Sequence, residues 1–544
     1  MRALHRTPKG GVLACLLLGA LGAVPACGLN QEGVAPPRNR ISFPGSVKVD
    51  PDRRWLYVVN SNADLRFNAG TVVAVDVKLA AEDRYPPADD ESRKWKVCEK
   101  PDYVRTDAST PRCCWDYLDH NILNCDERTY IHADSTIEVG SFGAGSALQS
   151  FKDAPAVCPT IPETPANRRE CNPPCDLDGA DRSRFYLAVR GNSSLTYFDI
   201  ARDKDGFPTL TCPVSPASES AQDCAIKDDE MSPFYEAAKK QQGNSGLQPT
   251  VVPDEPYALQ LDERRDLLYV GHLRGDVTRP SSGGISLFDI ANASKGALGK
   301  PIFLRPSGPI FPADTTGSYG VSSLTMKGEQ LYATSRFTPM ATEVIPSIPG
   351  ASCTAQEQFN DFAVFPTSNT FVSPLFGAEV RGIQFLPRRQ PKGAAPTPER
   401  AFLLQRTPPA VLSFDSAMNQ EGVYGNFPSE VIEVCQAPTF LQKDRTATEE
   451  TAGADDALLY VSCFDQGQVY LIDPRVPRLV GIVDVGRGPA GLEFGRPLAG
   501  EARRVAYVVL FGSNSIGVLD LTPGNDTQYH IIQRIGFPSV TPRQ

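Results

Sequence analysis

The sequence predicts an all-β protein, a seven-bladed β-propeller of four-stranded blades, and three observations indicate this fold class. One two-strand phrase recurs seven times along the 544 residues. The chain is 41% hydrophobic and 22% charged, which is typical of a globular protein and excludes a disordered or fibrous one. Proline (48 residues) and glycine (44 residues) are abundant, which indicates many turns and few long helices.

Each copy of the phrase consists of an apolar-aromatic strand, a polar turn and a second strand that usually ends in Asp, as between Tyr186 and Asp199. An inner strand precedes the phrase and an outer strand follows it, so each unit has four strands, the pattern of a propeller blade. Seven such sheets around an axis bury one another's faces. The recurring Asp is interpreted as ending its strand and hydrogen-bonding the next turn. The copy at Tyr332 is degenerate, and Phe362–Phe365 is predicted as its second strand.

The N-terminal residues 1–26 have the pattern of a signal peptide. A basic stretch precedes the short apolar run Val12–Val24, which is too short to span a bilayer as a stable helix. The run is followed by Pro25-Ala26-Cys27, which resembles a bacterial lipobox, in which the cysteine is lipidated. Plain cleavage after Ala26 and an uncleaved anchor are the alternatives. The predicted organisation is therefore a signal peptide (1–26), a lipidated tether (27–40) and a propeller domain (41–544).

These features predict export and lipid anchoring to the cell envelope. Because Gly28 rather than Asp follows Cys27, the outer membrane is expected if the host is Gram-negative. The formal net charge of −10 disfavours nucleic acid as a partner, since an acidic chain repels phosphate backbones. We expect a monomer that contacts the membrane through its lipid and binds a protein or small molecule that the sequence does not identify.

The cysteines support export. Beyond Cys15 in the signal peptide and Cys27, twelve remain, an even number that favours disulfides over metal ligation in an exported chain. The disulfide candidates are Cys98, Cys113, Cys114, Cys125, Cys158, Cys171, Cys175, Cys212, Cys224, Cys353, Cys435 and Cys463. Cys435 and Cys463 are expected to lie near the same rim and are predicted as one pair.

Two insertions interrupt the first two blades. Residues 79–134 fall between the third and fourth strands of the first blade, and residues 152–184 fall between the first and second strands of the next. Strand alternation puts both connections on the same face of the ring. We therefore expect them to pack together as a disulfide-tied cap.

The stretch Val480–Phe494 resembles the YVTN-type β-propeller repeat, with an apolar strand, Gly-x-x-Pro and a second apolar strand. Leu56–Asn60 and Leu459–Ser462 are similar to the phrase that names that family. The resemblance, to lactonase-like and surface-layer-like propeller proteins of bacteria, implies the fold. It leaves three functions open: a non-enzymatic binding or scaffold lipoprotein, a metal-dependent hydrolase similar to propeller lactonases, and a redox protein similar to haem d1 propellers.

Motifs for chemistry are weak. Asp176, Asp178 and Asp181 have the spacing of a calcium loop, but Leu187 stands where an EF-hand requires Glu. The alternative interpretation of these three residues is an ordinary acidic turn. The sequence contains no G-x-S-x-G, H-E-x-x-H or phosphate-binding Gly-rich motif. No catalytic residue and no cofactor other than possible Ca²⁺ is predicted, and the non-enzymatic binding protein is the favoured hypothesis.

Overall fold

The protein is a seven-bladed β-propeller in which each blade is a four-stranded antiparallel sheet. This confirms the predicted fold class. The computed structural model describes residues 34–85, 94–99, 112–151, 182–191, 193–212, 222–224, 255–276, 284–290, 301–307, 310–314, 318–347, 363–386, 399–418, 424–444, 457–495 and 503–536.

The strands follow the chain from the inner edge of each blade to its outer edge. The first blade contains β1 (Pro44–Val49), β2 (Trp55–Asn60), β3 (Gly70–Asp76) and β6 (Ile131–Val139). The second contains β7 (Gly143–Ser150), β8 (Arg182–Val189), β9 (Ser194–Arg202) and β10 (Pro208–Thr211). The third contains β11 (Pro256–Asp262), β12 (Leu267–His272), β14 (Ile285–Asp289) and β15 (Ile302–Pro306), and a two-stranded sheet beside it pairs β13 (Gly275–Asp276) with β16 (Ser318–Tyr319).

The remaining blades repeat this order. The fourth contains β17 (Val321–Lys327), β18 (Gln330–Ser335), β19 (Met340–Ser347) and β20 (Ala363–Val372). The fifth contains β21 (Ala378–Leu386), β22 (Arg400–Thr407), β23 (Ala410–Met418) and β24 (Tyr424–Glu433). The sixth contains β25 (Pro438–Lys443), β26 (Leu459–Cys463), β27 (Gln468–Asp473) and β28 (Arg478–Asp484). The seventh contains β29 (Pro489–Gly495), β30 (Val505–Leu510), β31 (Ser515–Asp520) and β32 (Ile531–Ile535).

The prediction for the degenerate fourth blade is wrong. Its third strand is β19, and Ala363–Phe365 begins the outermost strand β20 instead. β19 follows β18 after a short turn, so the two strands form a hairpin. It was missed because it lacks the apolar run and the terminal Asp of the other copies.

The middle strands of the blades carry the core. Every residue of β2 and β3 is buried, because neighbouring blades cover both faces of the sheet, and such strands are continuous apolar runs. The inner strands need small residues where blades meet: a Cβ added at Gly45 would lie 2.8 Å from the carbonyl oxygen of Gly143 in the next blade. Small residues on the inner strands thus let the blades converge on the axis.

The recurring Tyr and Asp of the phrase have structural roles. The Tyr57 hydroxyl donates to Asp50 (3.3 Å), and burial, reinforced by that carboxylate, raises the pKa of Tyr57. Asp199 lies opposite Arg184 in the β8–β9 register, and the two side chains form an ion pair (2.6 Å). Asp520 accepts from the backbone N–H of Thr522 in the following turn (2.8 Å), as the interpretation of this Asp requires.

The insertion in the first blade lies against the seventh blade. It begins with helix α1 (Val77–Arg84) and continues with β4 (Cys113–Trp115), β5 (Leu123–Cys125) and a 3₁₀ turn (Glu127–Thr129) before β6 starts at Ile131. β5 pairs in parallel with β32, so the seventh sheet has six strands. The described part of 79–134 therefore covers the outer edge of the ring, where a bare strand would otherwise be exposed. The predicted packing of this insertion against residues 152–184 stays a prediction, because residues 152–181 lie outside the described ranges.

Candidate functional site

Eight of the predicted cysteines form four disulfides within the described residues: Cys98–Cys114, Cys113–Cys125, Cys212–Cys224 and Cys435–Cys463. The first two crosslink the insertion of the first blade. The other predicted residues lie outside the described ranges, namely Cys27, Cys158, Cys171, Cys175, Cys353, Asp176, Asp178 and Asp181.

The described residues hold no group of three or more His, Cys, Asp or Glu side chains arranged to bind a metal ion. Among the histidines, His272 is buried and its Nε2 forms a hydrogen bond with Ser286 Oγ (2.8 Å), whereas His132 packs edge-on against Phe207 (4.8 Å between ring centroids). Within the described part of the chain, no helix is long and apolar enough to cross a membrane.

Polar and aromatic side chains converge at one end of the central channel. At this end each first strand of a blade begins and each second strand ends, because the two strands are antiparallel. We call this end the channel mouth and define it by Phe43, Arg190, Glu255, Arg336, Glu379, Arg381, Arg406, Phe464 and Phe511.

The backbone at the mouth repeats a left-handed turn. The residue at the start of the inner strand has a positive φ at Phe43 (46°), Phe142 (59°), Glu255 (53°), Glu379 (68°) and Ala437 (51°). For residues other than glycine this conformation costs roughly 1–2 kcal/mol, so packing around the mouth must hold it. The turn carries the chain into the inner strand of each of these blades.

One half of the mouth, across the second to fifth blades, is a network of arginines and glutamates, which we call the arginine sector. Glu255 Oε2 accepts Arg190 Nη2 (3.6 Å) and Arg336 Nη1 (3.4 Å) as ion-pair partners from the two neighbouring blades. In the fifth blade, Glu379 pairs with both Arg381 and Arg406, the latter at 3.4 Å. Four guanidinium groups face two carboxylates, so the sector carries a formal charge of +2.

Arg381 is the most buried member of the arginine sector, with 11% of its side chain exposed. Its Nε is buried and has no hydrogen-bond partner within the described residues. Burial lowers the pKa of Arg381, and the positive charges of Arg406 and Arg336 act in the same direction, against Tyr257 and Glu379. A guanidinium stays charged in a protein, so Arg381 adds positive charge to the mouth and keeps a buried Nε donor without a partner among the described residues.

The other half of the mouth, across the sixth, seventh and first blades, is aromatic, and we call it the phenylalanine sector. The Phe511 ring lies 5.4 Å from Phe43 and 5.9 Å from Phe464, measured between centroids. All three side chains are only partly buried. Phe464 belongs to the sixth blade, which adjoins the fifth, so the aromatic surface borders the arginine sector.

This combination suits an anion that also carries an apolar or aromatic group. Guanidinium groups donate to carboxylate, sulfate or phosphate oxygens, and phenylalanine rings pack on flat apolar surfaces. Binding sites commonly combine apolar walls with a few such polar groups.

The sequence interpretation missed this site. Its residues are single side chains in turns, whereas the repeat was recognised from strands. A signal existed: the residue four positions after the recurring aromatic is Arg190, Arg336 and Arg406 in three blades and Phe464 and Phe511 in two others. Aligning the seven copies at this position would have revealed both sectors.

Comparisons with known proteins identify no family for this chain. No protein family model and no curated protein sequence matches the chain. Solved structures that resemble it include the hydrazine synthase of Kuenenia stuttgartiensis, at 12% identity and a TM-score of 0.41 over 90% of this chain and 97% of that one. Apo AztD from Citrobacter koseri is 10% identical, with a TM-score of 0.32 over 91% and 87% of the two chains. The dihydro-heme d1 dehydrogenase NirN in complex with DHE is 11% identical, with a TM-score of 0.33 over 66% and 55%.

Proposed function

We propose that the protein is an exported, lipid-anchored β-propeller of the cell envelope that binds an anionic partner at the channel mouth without catalysing a reaction. The partner carries a carboxylate, sulfate or phosphate group beside an apolar or aromatic one. The single observation that supports this most is the unpaired, buried Nε of Arg381 within the positively charged arginine sector. In a chain with a net charge of −10, a local excess of positive charge favours a specific anion.

A titration with naphthalenesulfonate tests the binding site, because this probe joins a sulfonate to a flat apolar ring. We expect isothermal titration calorimetry to give saturable binding to the wild type. Arg381→Gln should weaken it about tenfold or more, since a charge-assisted hydrogen bond is lost. Phe464→Ala should weaken it through lost ring contact.

The matched control is Arg264→Gln. Arg264 is an exposed arginine that pairs with Glu329 on the surface, so its loss removes one positive charge without touching the mouth. The Arg264→Gln variant should bind naphthalenesulfonate with the same affinity as the wild type. Equal weakening by Arg264→Gln and Arg381→Gln would mean that the probe senses only net charge, and it would overturn the proposed site.

The lipid anchor is tested separately. The signal-like run and Cys27 support lipidation, and Gly28 after it supports the outer membrane in a Gram-negative host. Cells fed a fatty-acid analogue should label the wild-type protein and leave Cys27→Ala unlabelled. Equal labelling of the two proteins would exclude Cys27 as the anchor, while the mouth proposal would stand.

A further inference from the structure

A pocket lies between the first and seventh blades, away from the channel mouth. Arg53 lies in the turn between β1 and β2, Arg84 ends helix α1, and Arg503 precedes β30. The cavity volume of the pocket is about 50 Å³, and the pocket opens to solvent. Its floor is apolar and includes Val505 and Ile532, and none of its described lining residues is acidic.

Aromatic rings, rather than carboxylates, hold two of these arginines. The Arg503 guanidinium carbon lies 3.2 Å from the centroid of the Tyr85 ring. The Arg84 guanidinium carbon lies 4.6 Å from the Trp115 ring and 5.6 Å from the Tyr85 ring. Stacking occupies the faces of a guanidinium and leaves its N–H groups, which lie in its plane, available for acceptors.

Two of the Arg84 nitrogen donors lack acceptors. Its Nε and Nη1 are buried and have no hydrogen-bond partner among the described residues. Buried unpaired donors are rare because they forfeit the hydrogen bonds that water gave them, and each one requires an explanation such as a bound ion. Arg84 therefore lines the pocket with two donors that lack an acceptor among the described residues, although its guanidinium also forms a side-chain hydrogen bond with Tyr85.

The carboxylate of Asp520 attracts Arg84 but is occupied elsewhere. It accepts hydrogen bonds from the Thr527 hydroxyl (2.7 Å), the Thr522 backbone N–H (2.8 Å) and the Asn525 side-chain amide (3.2 Å), and it does not line the pocket. Burial lowers the pKa of Arg84, and the positive charge of Arg503 acts in the same direction, against Tyr85 and Asp520.

We infer that this pocket binds a small organic anion, whose carboxylate or phosphate group accepts hydrogen bonds from Arg84 and Arg503 and whose apolar body packs on Val505 and Ile532. The ligand would join helix α1 of the first blade to the strands of the seventh. Because a ligand that binds only the folded state stabilises it, occupancy should strengthen ring closure.

Thermal unfolding and calorimetry with phenyl phosphate and benzoate test this inference. Both probes should bind saturably and raise the melting temperature of the wild type, whereas the uncharged benzyl alcohol should do neither. Binding of phenyl phosphate alone would assign the site to phosphate, and binding of benzoate alone would assign it to carboxylate. If neither probe binds, the inference is overturned.

Variants localise the effect. Arg84→Gln and Arg503→Gln should each weaken binding about tenfold or more, Arg84→Lys should retain part of it, and the surface control Arg264→Gln should match the wild type. Without ligand, Arg84→Gln should not melt much below the wild type, because it removes an unpaired buried charge. Unchanged affinity in both Arg84→Gln and Arg503→Gln would exclude the pocket.

The channel mouth is a second place where these probes can bind, so the same titrations are repeated with Arg381→Gln. The melting shift from this pocket should persist there and disappear in Arg84→Gln. A shift that disappears only in Arg381→Gln would support the mouth and overturn the pocket.

Asp89, Asp90 and Glu91 follow α1 in the sequence. Probe binding only after their replacement by Asn, Asn and Gln would show that the chain's own acids compete, which would overturn an external ligand.

Discussion

The backbone N–H of Phe43, before the first strand of the ring, donates to the side-chain oxygen of Asn514 in the last blade, at 2.7 Å and 471 residues away in sequence. The Phe43 and Phe511 rings pack beside this bond, and farther along the inner strands Lys48 pairs with Glu493 (3.1 Å). β1 thereby packs against β29, and the two ends of the propeller domain meet. The ring is closed by side chains and by the insertion that pairs with β32.

Truncation after Thr522 should prevent closure. It removes β32, whose Ile531, Ile532 and Ile535 are buried. Each contributes about 1.5–3 kcal/mol by burial, against a total stability of roughly 5–15 kcal/mol. The truncated chain should aggregate in size-exclusion chromatography because β31 becomes a bare edge. Truncation after Gly536, which keeps β32, is the control and should remain monomeric; monomeric behaviour of both at the wild-type melting temperature would contradict the closed ring.

The sequence was sufficient to predict the propeller ring, because each repeat can be recognised within a short stretch of chain. Tyr186 and Asp199 are thirteen residues apart in one hairpin, and the structure pairs their strands directly. The partner of β32 could not be predicted this way, since β5 comes from an insertion some four hundred residues earlier and pairs in parallel. Three-residue strands such as β5 carry no periodic pattern to recognise.

The residues of the channel mouth were harder to predict, because they come together from distant parts of the sequence. Arg381 lies in an inner strand that contacts two blades, and its importance depends on its burial and on an Nε that has no hydrogen-bond partner within the described residues. The sequence shows the residue and not its neighbours. Only its side chain's position beside Glu379 and Arg406 reveals a charge excess.

Asp50→Asn should destabilise the contact between the first two blades. Asp50 is 1% exposed and forms an ion pair with Arg202 of the second blade, itself almost fully buried. Removing Asp50 leaves the buried Arg202 with Asp52 (3.4 Å) as its ion-pair partner, so the cost should be at most the roughly 3–5 kcal/mol of a broken buried pair. Urea unfolding measures this loss. Arg264→Gln removes an exposed ion pair and should cost about 1 kcal/mol or less; similar losses in the two variants would contradict a special role for Asp50.

Acid should release the insertion from the seventh blade. Burial acts to raise the pKa of Asp116, but hydrogen bonds from Asn124 and from backbone N–H groups, together with Arg534, outweigh it and hold the pKa low. Because the pKa of Asp116 is lower in the folded protein than the value of about 3.9 in the unfolded chain, its ionised carboxylate stabilises the folded state above that value. This stabilisation is lost as the pH falls through the folded-state pKa. Hydrogen exchange of residues 112–125, normalised for intrinsic rates, should therefore rise steeply below about pH 4.

Asp116→Asn is the control for that titration. It removes the ion pair with Arg534 (3.1 Å) at every pH. Exchange in residues 112–125 should be faster than in the wild type at pH 5, and the acid-induced rise should be smaller. Identical pH profiles in the two proteins would show that Asp116 does not hold the insertion.

Loss of the Cys435–Cys463 disulfide should loosen the junction between the fifth and sixth blades. The bond joins the segment before β25 to the end of β26, and its cysteines are separated by 28 positions in the sequence. A loop of this size contributes roughly 2–4 kcal/mol to the free energy of unfolding, chiefly by restricting the unfolded chain. Urea unfolding of the Cys435→Ser/Cys463→Ser double variant should show this loss, and an unchanged midpoint would contradict it.

A crystal structure of the protein with naphthalenesulfonate tests the binding proposal most directly. The sulfonate should lie within hydrogen-bond distance of Arg381, and the naphthalene ring should pack against Phe464 or Phe511 at the channel mouth. Density for the probe at that position, absent in crystals of Arg381→Gln, is the result that the proposal predicts. An empty mouth in crystals whose probe concentration saturates the protein in solution would contradict it.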